Sequence, residues 1–335
     1  MTYPQMHKRS ALSLLLFSAL LLAGVSSCRK DELTFTPASN TLPALDFFLK
    51  LIPEQQTQTT FPLNGATLGD TMLLTSSGVR IFLTDPNTLF KDASGNPVPC
   101  VDCQSVTLRV TEVFSKGDMP ARDINSENPE GILPESAGIL YLEAFCDGKP
   151  LQIMEGRTLK IQIPAATPNL LTDMRIWNAA LNADGAFDYW IMTPAVAYWA
   201  DWLPSGGSGT PVKGYEIYPG ALGWVNCARP LNSSPAVSGQ FCVKLSEAFN
   251  GENSVCYLAY KNRLILLEAQ GQAGSREFCF GSVVEGFPIR VLVISKIGAQ
   301  YYSATFDTES SANATINLSP QAVEAQTLKQ TLKSL

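Results

Sequence analysis

Histidine is nearly missing from this 335-residue chain: the single one is His7. Also missing is any apolar run long enough to cross a bilayer. The most continuous, Ala11 to Ala23, falls well short of the roughly 20 residues that a spanning helix needs. Nor is there a basic cluster, since 24 Lys and Arg stand against 30 Asp and Glu for a formal net charge of −6. An acidic chain without a phosphate-binding stripe argues against nucleic acid as a partner.

The residues around that apolar run give the histidine count its meaning. His7, Lys8 and Arg9 form a basic start and Ala11 to Ala23 a short apolar core, and small residues lead from Gly24 to Cys28. This is the pattern of an export signal. A thiol directly after the expected cleavage point is what a diacylglycerol anchor requires, so residues 1–27 are read as a lipoprotein signal peptide and Cys28 as the lipidated first residue of the mature chain. Two or three acyl chains hold a domain to a leaflet far more firmly than one. Cleavage removes Lys8 and Arg9 but no acid, taking the net charge from −6 to −8, and it removes His7. A mature chain without histidine has no Ser-His-Asp triad, no Cys-His pair and no imidazole metal ligand. Carboxylate, Tyr or Lys chemistry and oxygen-ligated calcium remain available. No cofactor and no metal site is expected.

Seven cysteines follow Cys28: Cys100, Cys103, Cys146, Cys227, Cys242, Cys256 and Cys279. Outside the cytoplasm they are expected to pair, and an odd number leaves at least one thiol over. Cys100-Val101-Asp102-Cys103 follows a turn and precedes a strand, so a local disulfide is expected there in place of a redox or zinc site. Cys227, Cys242, Cys256 and Cys279 are expected to be partly or wholly paired across strands.

Residues 28–60, rich in Thr, Pro and Gln from residue 33 on, read as a tether with one short amphipathic helix from Leu42 to Ile52. From Phe61 onward short β-type runs alternate with turn residues. Val106, Leu108 and Val110 interleave with Thr107, Arg109 and Thr111, and Leu159, Ile161 and Ile163 with Lys160 and Gln162. Such alternation buries one face of a strand and wets the other. Asp92 to Pro97, Asp147 to Pro150 and Asn182 to Gly185 punctuate the runs as turns. The last has Ala180 where a calcium loop would begin with Asp, so a plain turn is expected. The sequence therefore predicts an all-β chain with two antiparallel β-sandwich-like domains, 61–203 and 215–335, joined by a Gly- and Ser-rich linker at 204–214. In the second, a hairpin from Val255 to Glu268 turns near Lys261-Asn262. A C-terminal helix is predicted over 319–335, with Ser319 as N-cap and an apolar stripe through Leu328, Leu332 and Leu335.

Several phrases taken together carry a resemblance: Ser77-Gly78-Val79-Arg80-Ile81, the turn Gly95 to Val98, Val106 to Met119, Glu135-Ser136-Ala137-Gly138, Asp147 to Leu151 and Leu222 to Cys227. The chain resembles uncharacterised Bacteroidota surface lipoproteins whose first domain is similar to the spectrin-binding β-sandwich modules of ankyrins and netrin receptors. The resemblance covers most of residues 70–335 and implies a fold but no activity or site. Two features of the N-terminus look similar to the same group. Val25-Ser26-Ser27-Cys28 resembles its loose lipobox, and Lys30-Asp31-Glu32 resembles the tether signal of its surface-exposed members. Outer-membrane attachment, at the cell surface, is the expectation that follows.

All five tryptophans lie between 177 and 224. Trp190, Trp199 and Trp202 with Tyr198 are candidates for a stacking platform, because an aromatic face is flat and apolar with polar groups beside it. Core packing is the competing role for the same rings. Asp184, Asp188 and Asp201 are the acids available for a carboxylate pair, but none is nominated as catalytic. The expectation is a non-enzymatic, lipid-anchored envelope protein that binds or scaffolds, with a glycan or another envelope protein as partner. The alternatives are a carbohydrate-binding lipoprotein beside an outer-membrane importer and a hydrolase that uses carboxylates only.

Overall fold

The alternation centred on Leu108 becomes the strand Ser105–Val113, which sends Val106, Leu108 and Val110 into a core. The computed structural model describes residues 56–62, 71–167, 169–204, 207–231 and 240–335. The signal peptide, Cys28 and the helix expected at 42–52 lie outside the described residues. The last part of the expected tether is not tether: Gln56–Pro62 is a strand that pairs antiparallel along Ser105–Val113.

Those two strands open a seven-stranded antiparallel sheet. It continues through Pro134–Cys146, Gly223–Pro230, Arg175–Leu181 and Phe187–Val196, with Lys149–Pro150 attached to Pro134–Cys146. A five-stranded sheet faces it, in the order Tyr198–Trp202, Val212–Ile217, Lys160–Pro164, Arg80–Leu83 and Thr71–Leu74. Side chains such as Leu140, Leu142, Ile161 and Val225 fill the space between the two. This is the first sandwich.

The second sandwich faces a five-stranded sheet with a three-stranded one. The larger runs through Leu266–Gln270, Ser254–Tyr260, Pro288–Ile297, Gln300–Glu309 and Gln321–Val323. The smaller contains Glu277–Phe280, Phe241–Leu245 and Thr315–Leu318, the last of these pairing parallel. The hairpin expected at 255–268 forms as two paired strands, turning through Asn262 in the left-handed region at φ 57°.

The two sandwiches share an apolar layer. The face of the seven-stranded sheet turned away from the first core carries Val113, Ile139, Trp177 and Trp190. It packs against Val255, Tyr257, Leu292 and Ile294 of the second sandwich. Ser254–Tyr260 is consequently buried at every position: Val255, Tyr257 and Ala259 enter the shared layer, and Cys256, Leu258 and Tyr260 enter the second core. A strand covered on both faces reads as a continuous apolar run instead of an alternation.

Two expectations about boundaries are corrected. Val212–Ile217 begins within the expected linker and Gly223–Pro230 lies beyond it, yet both are interior strands of the first sandwich. The first sandwich therefore extends to Pro230, and the strands on either side of the glycine-rich stretch, Tyr198–Trp202 and Val212–Ile217, pair with each other in one sheet. Composition identifies flexibility, but it cannot tell a hairpin loop from a domain linker. The C-terminal helix is shorter than expected, Ala325–Lys333, because Thr315–Leu318 and Gln321–Val323 are strands. Ser319 is no N-cap: its hydroxyl lies 3.1 Å from that of Ser246. Leu328 and Leu332 are fully buried in the shared layer.

The cysteine pairing also differs. Cys103 joins Cys146 across neighbouring strands, not Cys100, and Cys242 joins Cys279 at directly opposed positions. The Cys100 thiol instead donates to the Pro86 carbonyl at 3.1 Å. Of Cys227, Cys242, Cys256 and Cys279, expected to be partly or wholly paired, only Cys242 and Cys279 are joined, and Cys100, Cys227 and Cys256 are free and buried. Burial pushes the Cys100 thiol up to about 11 and raises those of Cys227 and Cys256 as well, which keeps all three as unreactive thiols. The Cys103–Cys146 bond closes a sequence separation of 43. The double replacement Cys103→Ser with Cys146→Ser is expected to cost about 2–4 kcal/mol in chemical denaturation, since a cross-link of that span removes chain entropy from the unfolded state.

Candidate ligand-binding site

The four nominated rings do not form one platform. Trp190 is buried in the shared layer, where its Nε1 donates to the Asn125 carbonyl at 2.7 Å. Tyr198, Trp199 and Trp202 all lie on the strand Tyr198–Trp202, but successive side chains of a strand leave on opposite faces. Tyr198 and Trp202 therefore share the outer face of the smaller sheet. Trp202 is buried there over Gly214, with the Arg80 guanidinium 5.8 Å from its ring centroid. Tyr198 stands edge-on to Tyr218 at 6.2 Å. Trp199 lies on the inner face with Asp201. The rings are near one another in sequence, but linear proximity on a strand divides side chains as often as it gathers them.

Trp199 is 59% exposed because its strand is the free edge of the sheet, where the inner face runs out past the core. The ring is pinned all the same: its Nε1 donates to the Leu171 carbonyl at 3.1 Å. Asp201 sits opposite Lys213 in the antiparallel register, which puts both side chains on Trp199's face. Together with Asn169 and Leu170 these residues line a shallow cleft of about 450 Å³. A fixed apolar plane beside a carboxylate, an ammonium and an amide can stack on one face of a ring and bond to hydroxyls at its edge.

A second cleft, of about 340 Å³, is not legible in the sequence. It brings Glu127 together with Asp188, beside Asn128 and Tyr189. The 125–128 loop is fastened to the edge strand Phe187–Val196: the Trp190 N–H donates to the Glu127 carbonyl at 2.9 Å, and Asn128 Nδ2 donates to the Trp190 carbonyl at 2.8 Å. Glu127 is an exposed residue of the cleft wall, yet the protein around it partly strips water from its carboxyl. That desolvation, and then the facing Asp188, raise it above the usual carboxylate range, while Asn125 partly offsets both. Asp188 is a candidate acid from the sequence; its partner lies 61 residues upstream, a distance no local pattern encodes. Asp184 is elsewhere, in a plain turn where the Asn182 Oδ1 accepts from the Asp184 and Ala186 N–H groups.

Among the described residues the one group of three metal-type ligands is Cys242, Glu277 and Cys279. The two cysteines are joined in a disulfide, so neither offers a thiolate. No described helix is long and apolar enough to cross a membrane. Comparison with protein-family models, with curated proteins and with solved structures found no match to this chain.

Proposed function

We propose that the protein is a lipid-anchored binding module of the cell envelope, without enzymatic activity of its own, and that the Trp199 cleft holds a saccharide. The observation that carries the reading is the pinned, exposed indole of Trp199 beside Asp201 and Lys213. Anchoring at Cys28, at the outer membrane and facing outward, belongs to the same proposal and rests on the N-terminal sequence. Kinship with Bacteroidota surface lipoproteins rests on the turn and strand phrases quoted above. An anchored module that captures glycan next to an importer needs affinity and no chemistry, which suits a chain whose mature part lacks histidine.

The test is calorimetric titration of the mature protein, made soluble by Cys28→Ser, with a broad panel of soluble glycans. Saturable binding to at least one is expected, weakened by at least about tenfold in Trp199→Ala, because loss of a central aromatic anchor costs roughly 1.4 kcal/mol or more. Tyr198→Ala, one residue away but on the opposite face, should leave the affinity unchanged. Flat titrations across the panel would reject the reading.

A second reading, a hydrolase that uses carboxylates only, is favoured by the Glu127–Asp188 cleft. A carboxyl with a raised pKa near a second carboxylate is the kind of pairing that glycosidic cleavage uses. Product analysis of the same titration mixtures separates the two: turnover abolished by Glu127→Gln or Asp188→Asn would replace the binding reading, and intact glycans would retain it.

A further inference from the structure

Cations gather where the turn Ser115–Met119 meets the turn at Lys261–Arg263. Two adjoining clefts open there, one of about 230 Å³ and one of about 420 Å³, and they share Lys116 and Asn262. Their wall side chains include the cations Lys116, Lys261, Arg263 and Arg290 and one carboxylate, Glu135, and Leu335, the last residue of the sequence, lines both clefts as well. The nearby acids are already shared. Glu135 is held by Arg263 at 2.6 Å and Arg229 at 2.7 Å, and Asp307 by Arg290 at 2.7 Å and Lys261 at 2.8 Å. Asp118 lies close in sequence but is bonded to Ser115 and lines neither cleft.

Lys116 is left over. Its ammonium donates to the Tyr260 carbonyl at 2.7 Å, and among the described residues it has no carboxylate partner. Desolvation, with the Arg290 charge adding to it, brings its pKa down to about 8. An anion is what this lysine lacks. A second group in the larger cleft is also unsatisfied: Ser136 is 6% exposed, and its hydroxyl has no hydrogen-bond partner among the described residues. The same cleft offers apolar surface from Phe114, Ala137 and Leu171 beside the polar Thr167 and Asn169.

We propose that these adjoining clefts form a site for a small organic oxyanion. Its carboxylate or phosphate lies between Lys116, Arg290 and the Asn262 turn, and its neutral body lies in the larger cleft against Ser136 and Phe114. The charge pattern favours it: of the four wall cations, Lys261, Arg263 and Arg290 share the carboxylates of Glu135 and Asp307, and Lys116 has neither, in a chain with a net charge of −6. Charge-assisted bonds from ammonium and guanidinium groups to an oxyanion are among the stronger hydrogen bonds available in a partly desolvated cleft. The larger cleft adjoins the Trp199 cleft through Asn169, which lines both, but the oxyanion site differs from it in ligand chemistry and in the residues that hold the charge, and it stands whether or not that cleft binds saccharide.

The experiment is calorimetry on the Cys28→Ser mature protein with three probes: inorganic phosphate, phenyl phosphate and benzoate. Saturable binding of phenyl phosphate or benzoate, tighter than that of inorganic phosphate, is expected. It should weaken at least tenfold in Lys116→Gln and be unaffected by Lys149→Gln, which removes the same charge at an exposed position elsewhere. Because Lys116 also holds the Tyr260 carbonyl, a second variant guards against a folding defect. Asn262→Asp puts a negative charge at the exposed turn, where Asp tolerates the left-handed conformation, and should weaken binding to a similar degree. Inorganic phosphate binding as tightly as phenyl phosphate would refute the role of the larger cleft. No saturable binding by any probe, or equal affinity in Lys116→Gln and Asn262→Asp to that of the unaltered protein, would overturn the proposal.

Discussion

Trp177→Ala is expected to lower stability by about 3–5 kcal/mol, the cost of emptying a large aromatic site in a close-packed interior. The indole is fully buried in the layer between the two sandwiches, and its Nε1 donates to the Ala228 carbonyl at 3.1 Å. Truncation leaves a cavity and an unpaired carbonyl together. Trp177→Phe should recover most of the loss, because it keeps most of the volume and forfeits mainly the hydrogen bond, worth about 1 kcal/mol. Urea denaturation followed by far-ultraviolet circular dichroism measures both. The unfolding should also stay a single transition, since the strands on both sides of Trp177 lose the same contacts. Separate transitions for the two sandwiches would show that the shared layer does not couple them.

Gly117→Val is expected to have an effect of the same size for a different reason. A Cβ placed on Gly117 would overlap the Leu332 carbonyl oxygen and lie 2.8 Å from its carbon, both backbone atoms of the Ala325–Lys333 helix. No rotamer relieves that overlap, so the helix must move off. Leu328 and Leu332, both fully buried, then lose their cover. At roughly 1.5–3 kcal/mol for each buried leucine, the cost is about 3–6 kcal/mol. Hydrogen exchange should show it most clearly, with the helix amides losing protection before those of the seven-stranded sheet. Unchanged protection of the helix would mean that Gly117 is not a contact it depends on.

The parts of this fold that are legible in the sequence are those where one face is wet. Ser105–Val113 shows alternation because its first half borders solvent on one side, and the turns at Asp92 and Asn182 announce themselves through side chains that bond their own backbones. Where a strand is covered twice, as in Ser254–Tyr260, periodicity is erased, and with it the clue that the sandwiches stack through a common layer. The domain limit is hidden for a related reason. The run Gly207 to Pro211 looks like a linker, but Val212–Ile217 and Gly223–Pro230 take partners from strands far upstream, Lys160–Pro164 and Pro134–Cys146. In the Trp199 cleft the residue types are readable, but which side each ring takes is not fixed until the pairing register is known. The Glu127–Asp188 and Lys116 clefts depend on chain segments remote in sequence, and nothing local marks them.

The helix that covers the turn at Lys116 is made some two hundred residues after it. Until 325–333 exists, the outer face of the seven-stranded sheet carries Trp177 and Ile139 with its lid absent, and Thr315–Leu318 has yet to reach its parallel partner Phe241–Leu245. Pairings so remote along the chain are slow to form. The apolar layer between the sandwiches is therefore expected to close late in folding. A helper that shields apolar surface during that interval should raise the folded yield more than any single stabilising substitution.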